Sequence, residues 1–236
     1  MIPFSREITH SDDTDLSGTD FIPYGSTLLT TQGSKNHNWK GLFFDLAKFN
    51  YDEAMKHRDD MLNKDVVFAG EIKDSIAILQ QLDSNTKLFM RPSEDLKQFS
   101  GTVMTAGDAA EWLEKACSCD TSEHAQLKPT TRIIVSPVQD IQAEWRYFIV
   151  DGKIVSGSMY RHSGYMKLAE VTDKSTIEEA QLFANKWLPA PCCVMDLAMV
   201  DNCLKVIEFN CLNSSGFYDN NIKNIFDELY KFCSKL

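Results

Sequence analysis

The sequence predicts an α+β fold in which hairpins dominate. Two observations carry this. Asp151-Gly152 and Asp201-Asn202 each stand between two apolar runs, the pattern of a tight antiparallel turn. Segments of helical spacing are mixed among these strands, without the regular alternation that builds a parallel sheet.

Residues 1 to about 20 are polar and read as a loosely held start. Phe21–Thr31 alternates apolar and hydroxyl residues around Pro23 and Gly25, which predicts a strand and turn. Asp52–Leu62 and Ile72–Leu82 have helical spacing, with Ile72, Ile76, Leu79 and Leu82 in one stripe that would pack on a small sheet. A strand at Lys87–Arg91 is stopped by Pro92. A helix at Ala109–Ala116 is expected to open at Asp108, with Glu111 completing a capping box. Ser118–Pro129 reads as a loop, and Thr131–Ser136 as a β-branched strand interrupted by Pro137.

The first hairpin joins Glu144–Val150 to Ile154–Tyr160, and the second joins Val194–Val200 to Leu204–Asn210. Between them a helix is expected from Ser175, capped with Glu178, burying Ile177, Ala180, Phe183, Ala184 and Trp187 before Pro189. A last helix, Asn221–Cys233, would bury Ile222, Ile225, Phe226, Leu229 and Phe232. The expected division is an N-terminal lobe over residues 1–83, a small lobe over 84–136 and a C-terminal lobe over 137–236.

With 236 residues the chain can bury a sizeable core. A formal charge of −10 argues against nucleic acid as a partner, because phosphate backbones want a basic surface. No apolar stretch approaches the length that spans a bilayer, so no membrane partner is expected. Met1–His10 has no apolar run after a basic start, and the seven cysteines read as reduced thiols, so a cytoplasmic location is expected. The terminal Ser234-Lys235-Leu236 spells a peroxisomal address, but it also closes an amphipathic helix and is read as incidental. No Cys-x-x-Cys pair supports zinc.

A two-residue Asp151-Gly152 turn sets Val150 opposite Lys153, Arg146 opposite Gly157 and Glu144 opposite Met159. Glu144, Arg146 and Arg161 then share one face, and Tyr147, Ile149 and Ile154 the other. That charged face is either solvated or a holder for polyphosphate, since the guanidinium fork matches phosphate oxygens. On the second hairpin Glu208 and Asn210 share a face, being two apart. Asp196 stands across from Glu208 only if the loop has three residues, Asp201-Asn202-Cys203, or the strand carries a bulge. Two carboxylates and an amide oxygen are hard ligands suited to magnesium; the alternative is a hydrogen-bonded polar pair at a strand end.

Glu144-Trp145-Arg146-Tyr147-Phe148, Asp151-Gly152-Lys153, Tyr160-Arg161, Asp196 and Glu208-Phe209-Asn210 resemble the C-terminal half of ATP-grasp enzymes. Together with Ile22–Thr27, Phe89-Met90-Arg91-Pro92, Lys97–Gly101 and Asn210–Tyr218, they are most similar to a divergent clade named for two arginines and one lysine. The resemblance implies ATP held between two α+β lobes, with Ser136, Pro137, Val138 and Gln139 as the hinge at adenine. It implies phosphate contacts from Arg91, standing where other ATP-grasp enzymes carry a lysine, and from Lys97. It assigns Arg146 and Arg161 to the triphosphate or an anionic intermediate, counting them with Lys97 as catalytic residues, places Glu144 among the nucleotide-binding residues, and gives Asp196, Glu208 and Asn210 to magnesium. The compact glycine-rich phosphate loop of the superfamily is missing from Arg91–Gly107.

The activity so implied is carboxylate–amine ligation through an acyl phosphate, on a peptide, a protein or a small amino compound. An ATP-binding assembly factor without ligation and a kinase are the alternatives. Acceptor contacts are expected at Pro23–Thr27 and Asn213–Tyr218, and Cys193 and Cys211 are expected to pack rather than react.

Overall fold

The computed structural model describes residues 22–36, 41–96, 98–118 and 127–236. Lys97 and the polar start therefore lie outside the described residues. Two antiparallel sheets organise the chain. The smaller takes β1 (Phe68–Glu71), β2 (Lys87–Pro92), β3 (Thr102–Thr105) and β4 (Arg132–Pro137), in the order β1-β4-β2-β3. The larger takes β5 (Ala143–Val150), β6 (Lys153–His162), β7 (Tyr165–Glu170), β8 (Cys193–Val200) and β9 (Cys203–Asn210), in the order β7-β6-β5-β8-β9.

Strand alternation divides the small sheet between a core and a cleft. Leu88 and Met90 of β2, with Ile133 and Val135 of β4, pack beneath α3 (Ile72–Leu79) and α4 (Ala106–Ser118) through Ile72, Leu79, Ala109 and Leu113. The intervening Phe89 and Arg91 point the other way and line a cavity. Because β1 and α3 belong to this layer, the division expected at residue 83 falls between α3 and β2, inside one packed unit.

The stretch before β1 fills the space between the sheets. Phe44, Phe49, Tyr51 and Ala54, the last two on α2 (Tyr51–His57), join Ile134 of the small sheet to Tyr147, Met195 and Val206 of the large one. Leu62 N donates to Val206 O at 2.7 Å and Val206 N to Asp60 O at 2.8 Å, so the open edge of β9 is covered. The adjoining Arg58 is a buried clamp. It chelates Asp60 at 2.7 and 2.8 Å and donates to Phe183 O and Trp187 O at 2.7 and 3.1 Å. Asp60→Ala would strand that guanidinium, and we expect it to lower the unfolding free energy by about 3–5 kcal/mol. Burial alone would raise the Asp60 carboxyl, but Arg58 and Lys186 outweigh it and hold it below its usual 3.8. The carboxylate's contribution is therefore present above that value and lost as pH falls through the folded one. Urea titrations of both proteins at neutral and acidic pH should show the gap closing on the acid side.

On the large sheet α5 (Lys174–Ala184) and α6 (Ile222–Cys233) cover opposite faces. Ala180 and Ala184 of α5 pack with Tyr147 and Ile149, whereas Ile225 and Leu229 of α6 pack with Phe148 and Val150. Ile222, expected in the buried stripe, is exposed at the first turn. Helix starts also shift. Asp173 rather than Ser175 caps α5, and the Thr105 hydroxyl caps the Asp108 N–H, so Asp108 stands inside α4. Thr27–Asn36 is helix α1 rather than the expected strand.

All three hairpins of this sheet turn on two residues with positive φ: Asp151-Gly152, Ser163-Gly164 and Asp201-Asn202. Past the first turn β6 carries two bulges, at Val155 and Tyr160, so Gly157 faces Tyr147 rather than Arg146 and Glu144 faces Arg161 rather than Met159. Gly157 leaves space for the Tyr147 ring. A Cβ there would stand 2.6 Å from Tyr147 Cε1 and 3.3 Å from Val171 Cβ. Gly157→Ala is expected to cost about 1–3 kcal/mol through overpacking, measurable as a lowered denaturation midpoint with unchanged m-value.

Candidate functional site

The site begins as one row across the large sheet. Ser158 of β6, Arg146 of β5, Asp196 of β8 and Glu208 of β9 are successive cross-strand partners, and partners share a face. Glu144, paired with Arg161, lies two residues from Arg146 on the same face, as Asn210 does from Glu208. The two expected sets, Glu144 with Arg146 and Arg161, and Asp196 with Glu208 and Asn210, are thus present, and the pairing of β5 with β8 joins them on one face. The turn at Asp201-Asn202 has two residues, not three, and would by count oppose Asp196 to Ile207. A bulge at Ile207 advances the register by one and brings Glu208 across from Asp196.

Ion pairs define the charges. Arg146 chelates Asp196 through Nε and Nη2 at 2.9 and 2.7 Å, and its Nη1 donates to Gly216 O at 3.2 Å. Both partners are buried. Burial pushes the Asp196 carboxyl up; burial would also weaken proton binding by Arg146, but the Asp196 carboxylate more than restores it. An arginine in bidentate contact keeps the pair ionised. From the small sheet, Arg91 donates to Glu208 Oε2 and, at 3.2 Å, to the Ile207 carbonyl at the bulge. Its guanidinium carbon lies 4.5 Å from the Tyr51 ring centroid. Burial opposes ionisation of Glu208, yet Arg91, with Asn210 and Arg146, holds its carboxyl below the usual range. Asn210 Nδ2 donates to Glu208 Oε1 at 3.0 Å.

Arg91, Glu144, Arg161, Glu208 and Asn210 line a cavity of about 490 Å³ between the two sheets, within the range of small-molecule sites. Arg146 and Asp196 stand behind its wall. Ser136, Pro137, Val138 and Gln139 do not line it: Ser136 is buried, and its hydroxyl accepts from Asn63 Nδ2 at 2.8 Å. Ile141, further along the same connection, does reach the cavity. The acceptor candidates divide likewise. Asn213 is a structural staple, donating to Pro23 O and Gly41 O at 2.7 Å each and accepting from Phe43 N at 3.0 Å. Tyr24 donates to Ser215 O and stacks on Phe217, so Pro23–Thr27 is held against this loop by packing. Cys193 and Cys211 are buried, and burial pushes the Cys211 thiol up to about 12, which leaves it unreactive.

Among the described residues no three His, Cys, Asp or Glu side chains gather as a metal site. The fit to magnesium rests on the oxygens of Glu208 and Asn210 at the cavity wall, with Asp196 one strand behind. These are hard donors, and magnesium commonly takes one or two carboxylates and completes its shell with phosphate and water. The residues present fit that ion.

The sequence did not point to Tyr51 as the ring under Arg91, and it offered Tyr160 only as a motif residue beside Arg161, with no role; in the structure the Tyr160 hydroxyl donates to Glu144 Oε2 at 2.7 Å. Burial, then Asp196 and Glu144, push the Tyr160 hydroxyl up, so it remains a donor. Tyr160 reaches Glu144 beside Arg161 because it is the bulged residue of β6. No local pattern announces such a bulge.

Comparison with known proteins agrees with this architecture. A family model for the ATP-grasp domain, family 3 of the clade named for two arginines and one lysine, matches residues 33–229. Among solved structures, the D-alanine–D-alanine ligase from Helicobacter pylori is 10% identical at a TM-score of 0.57, over 88% of this chain and 68% of that one. A RimK domain ATP-grasp protein from Sphaerobacter thermophilus DSM 20745 is 9% identical at a TM-score of 0.52, over 89% and 77%. The ATP-grasp ligase PsnB complexed with minimal precursor is 12% identical at a TM-score of 0.49, over 80% of this chain, which spans 61% of PsnB. No curated protein matches in sequence. Identities this low bear on fold alone, but the family match covers most of the sequence, and the chain belongs to the ATP-grasp domain family, in family 3 of its two-arginine, one-lysine clade.

Proposed function

We propose that this protein is an ATP- and magnesium-dependent carboxylate–amine ligase that works through an acyl phosphate, on a peptide, a protein or a small amino compound. The observation that carries the reading is the convergence of Arg91 from one sheet with Arg161, Glu208 and Asn210 from the other on a single cavity. Phosphoryl transfer requires little covalent chemistry from a protein; it requires positioning and charge stabilisation. Arg91 contributes positive charge towards the phosphate oxygens, and the open fork of Arg161 meets the oxygens of the acyl group that becomes the acyl phosphate. Arg146 acts through another residue, holding Asp196 in place. Lys97 is proposed as a further phosphate contact. Met61, Phe89 and Phe209 offer apolar wall to the nucleobase, and this replaces the Ser136–Gln139 hinge in the proposal.

Glu208 and Asn210, with Asp196 behind them, would hold magnesium. Bound there, the ion would neutralise charge spreading over the phosphate oxygens. No side-chain nucleophile is required.

The test is product analysis with candidate acceptors. ADP and phosphate released only with an acceptor, together with a new amide in the mass spectrum, support the reading. AMP and pyrophosphate would sink the acyl phosphate. A phosphorylated product would indicate a kinase, and partner binding with no covalent product would indicate an assembly factor.

A further inference from the structure

We propose that Tyr218 and Arg161 form the seat for a carboxylate-bearing substrate, one whose carboxylate lies within a residue's length of a flat or apolar group. The inference rests on the ligase reading and deepens it by naming what the acyl end must carry.

Tyr218 is held in a conformation that a tyrosine does not choose. Its φ is +51°, and the other non-glycine residues at positive φ, Asp151, Ser163, Asp201 and Asn202, all sit in hairpin turns. Left-handed backbone is unfavourable for a bulky side chain and persists only where the surroundings impose it. Here they do. Gly216 O accepts from Arg146 at 3.2 Å, Asp219 N donates to Ser158 Oγ at 3.3 Å, and Asp219 Oδ2 accepts from Glu170 N at 3.1 Å. Asn220 Nδ2 donates to Phe217 O at 2.9 Å. The loop is thus staked to β5, β6 and β7 on both sides of Tyr218.

What this anchoring presents is a ring at the cavity wall. One face of Tyr218 stacks on Tyr160, with centroids 4.7 Å apart and an interplanar angle of 13°. Tyr160 is itself fixed by its hydroxyl bond to Glu144. Tyr218 remains 44% exposed and lines the cavity. A ring needed only for packing would be covered; this one rests against Tyr160, with the Arg146 guanidinium carbon 4.9 Å from its centroid, and still keeps part of its surface at the cavity.

Arg161 lines the same cavity and completes the seat. One of its nitrogens donates to Glu144 Oε1 at 3.2 Å, and its side chain is 53% exposed. The rest of the fork points to no partner among the described residues. A guanidinium anchored by one edge and open at the other matches a carboxylate in two parallel hydrogen bonds. Both Glu144 oxygens accept, one from Tyr160 and one from Arg161, and this orients the pair. A partly exposed aromatic ring beside an open guanidinium selects a carboxylate next to a planar or apolar group, as at the C-terminal residue of a peptide or on an N-acylated amino acid.

N-acetyl-phenylalanine is the probe, and N-acetyl-phenylalaninamide is the control that lacks the carboxylate. Both are titrated by ligand-observed NMR into the full chain, with a non-hydrolysable ATP analogue and magnesium bound. The acid is expected to bind at least tenfold more tightly than the amide. Arg161→Gln should abolish that preference. Tyr218→Gly, which suits the positive φ and so preserves the backbone, should weaken the acid at least tenfold, and Tyr218→Phe should restore it. Thermal melts confirm that each variant is folded. No acid binding, equal binding of acid and amide by the wild type, or acid binding unchanged in Tyr218→Gly overturns the seat. Nucleotide binding is read in the same samples. If the analogue fails to bind the wild type, the ligase reading falls; if it binds and the acid does not respond, the seat alone falls.

Discussion

Asp196→Ala is expected to lower the free energy of unfolding by about 3–5 kcal/mol, the usual cost of leaving one member of a buried ion pair alone. Arg146 makes two of its three hydrogen bonds to this carboxylate, at 2.9 and 2.7 Å, and both side chains are buried. Without Asp196 the guanidinium keeps only the Gly216 carbonyl, while Glu208 is one cross-strand step further away. For a chain of this size the loss corresponds to a melting temperature lower by about 6–20 °C. The companion measurement is Asp196→Ala combined with Arg146→Met. Removing both charges should recover part of the loss, because the cost is mainly that of a stranded charge rather than the worth of the pair. A single mutant within about 1 kcal/mol of wild type would show that Arg146 finds another partner or reaches water.

Glu208→Gln should separate function from stability. Glutamine keeps the size of the side chain and an oxygen for Arg91 and Asn210 but removes the charge. Arg91 also retains the Ile207 carbonyl and the Tyr51 ring, so the fold should suffer less than in Asp196→Ala. On the proposed function, loss of this charge at the phosphates should reduce turnover by about 10²–10³. The magnesium-dependent part of nucleotide stabilisation should fall with it, since ligand stabilisation follows affinity. Thermal shifts with ATP, with and without magnesium, measure that part directly. If the magnesium increment is unchanged in Glu208→Gln, Glu208 does not hold the ion.

The charged row was legible because it depends on a short period. Side chains two apart on a strand share a face, so Glu144 with Arg146, and Glu208 with Asn210, could be grouped from spacing alone. The Asp-Gly and Asp-Asn turns then named which strands pair. Registers were less secure. Val155, Tyr160 and Ile207 each shift the pairing by one residue, and each bulge follows from packing across the sheet rather than from its own neighbours in sequence. At Gly157 the reason is visible: its bare backbone faces the ring of Tyr147, which β5 alone does not reveal. The third hairpin, through Ser163-Gly164, was missed because its strand β7 is almost wholly exposed and so carries no buried-and-exposed alternation.

From the sequence alone came the α+β class, the hairpins through Asp151-Gly152 and Asp201-Asn202, and the same-face pairs Glu144 with Arg146 and Glu208 with Asn210, all of which depend on neighbours within a few residues. Only the tertiary structure decided which of those charges reach the cavity. Arg91 and Glu208 are separated by 117 positions, and they meet because two sheets pack across a cleft. Arg146 and Asp196, equally prominent in the sequence, neutralise each other behind the wall. Spacing along a strand sets which way a side chain points, whereas the partner it finds there depends on long-range packing.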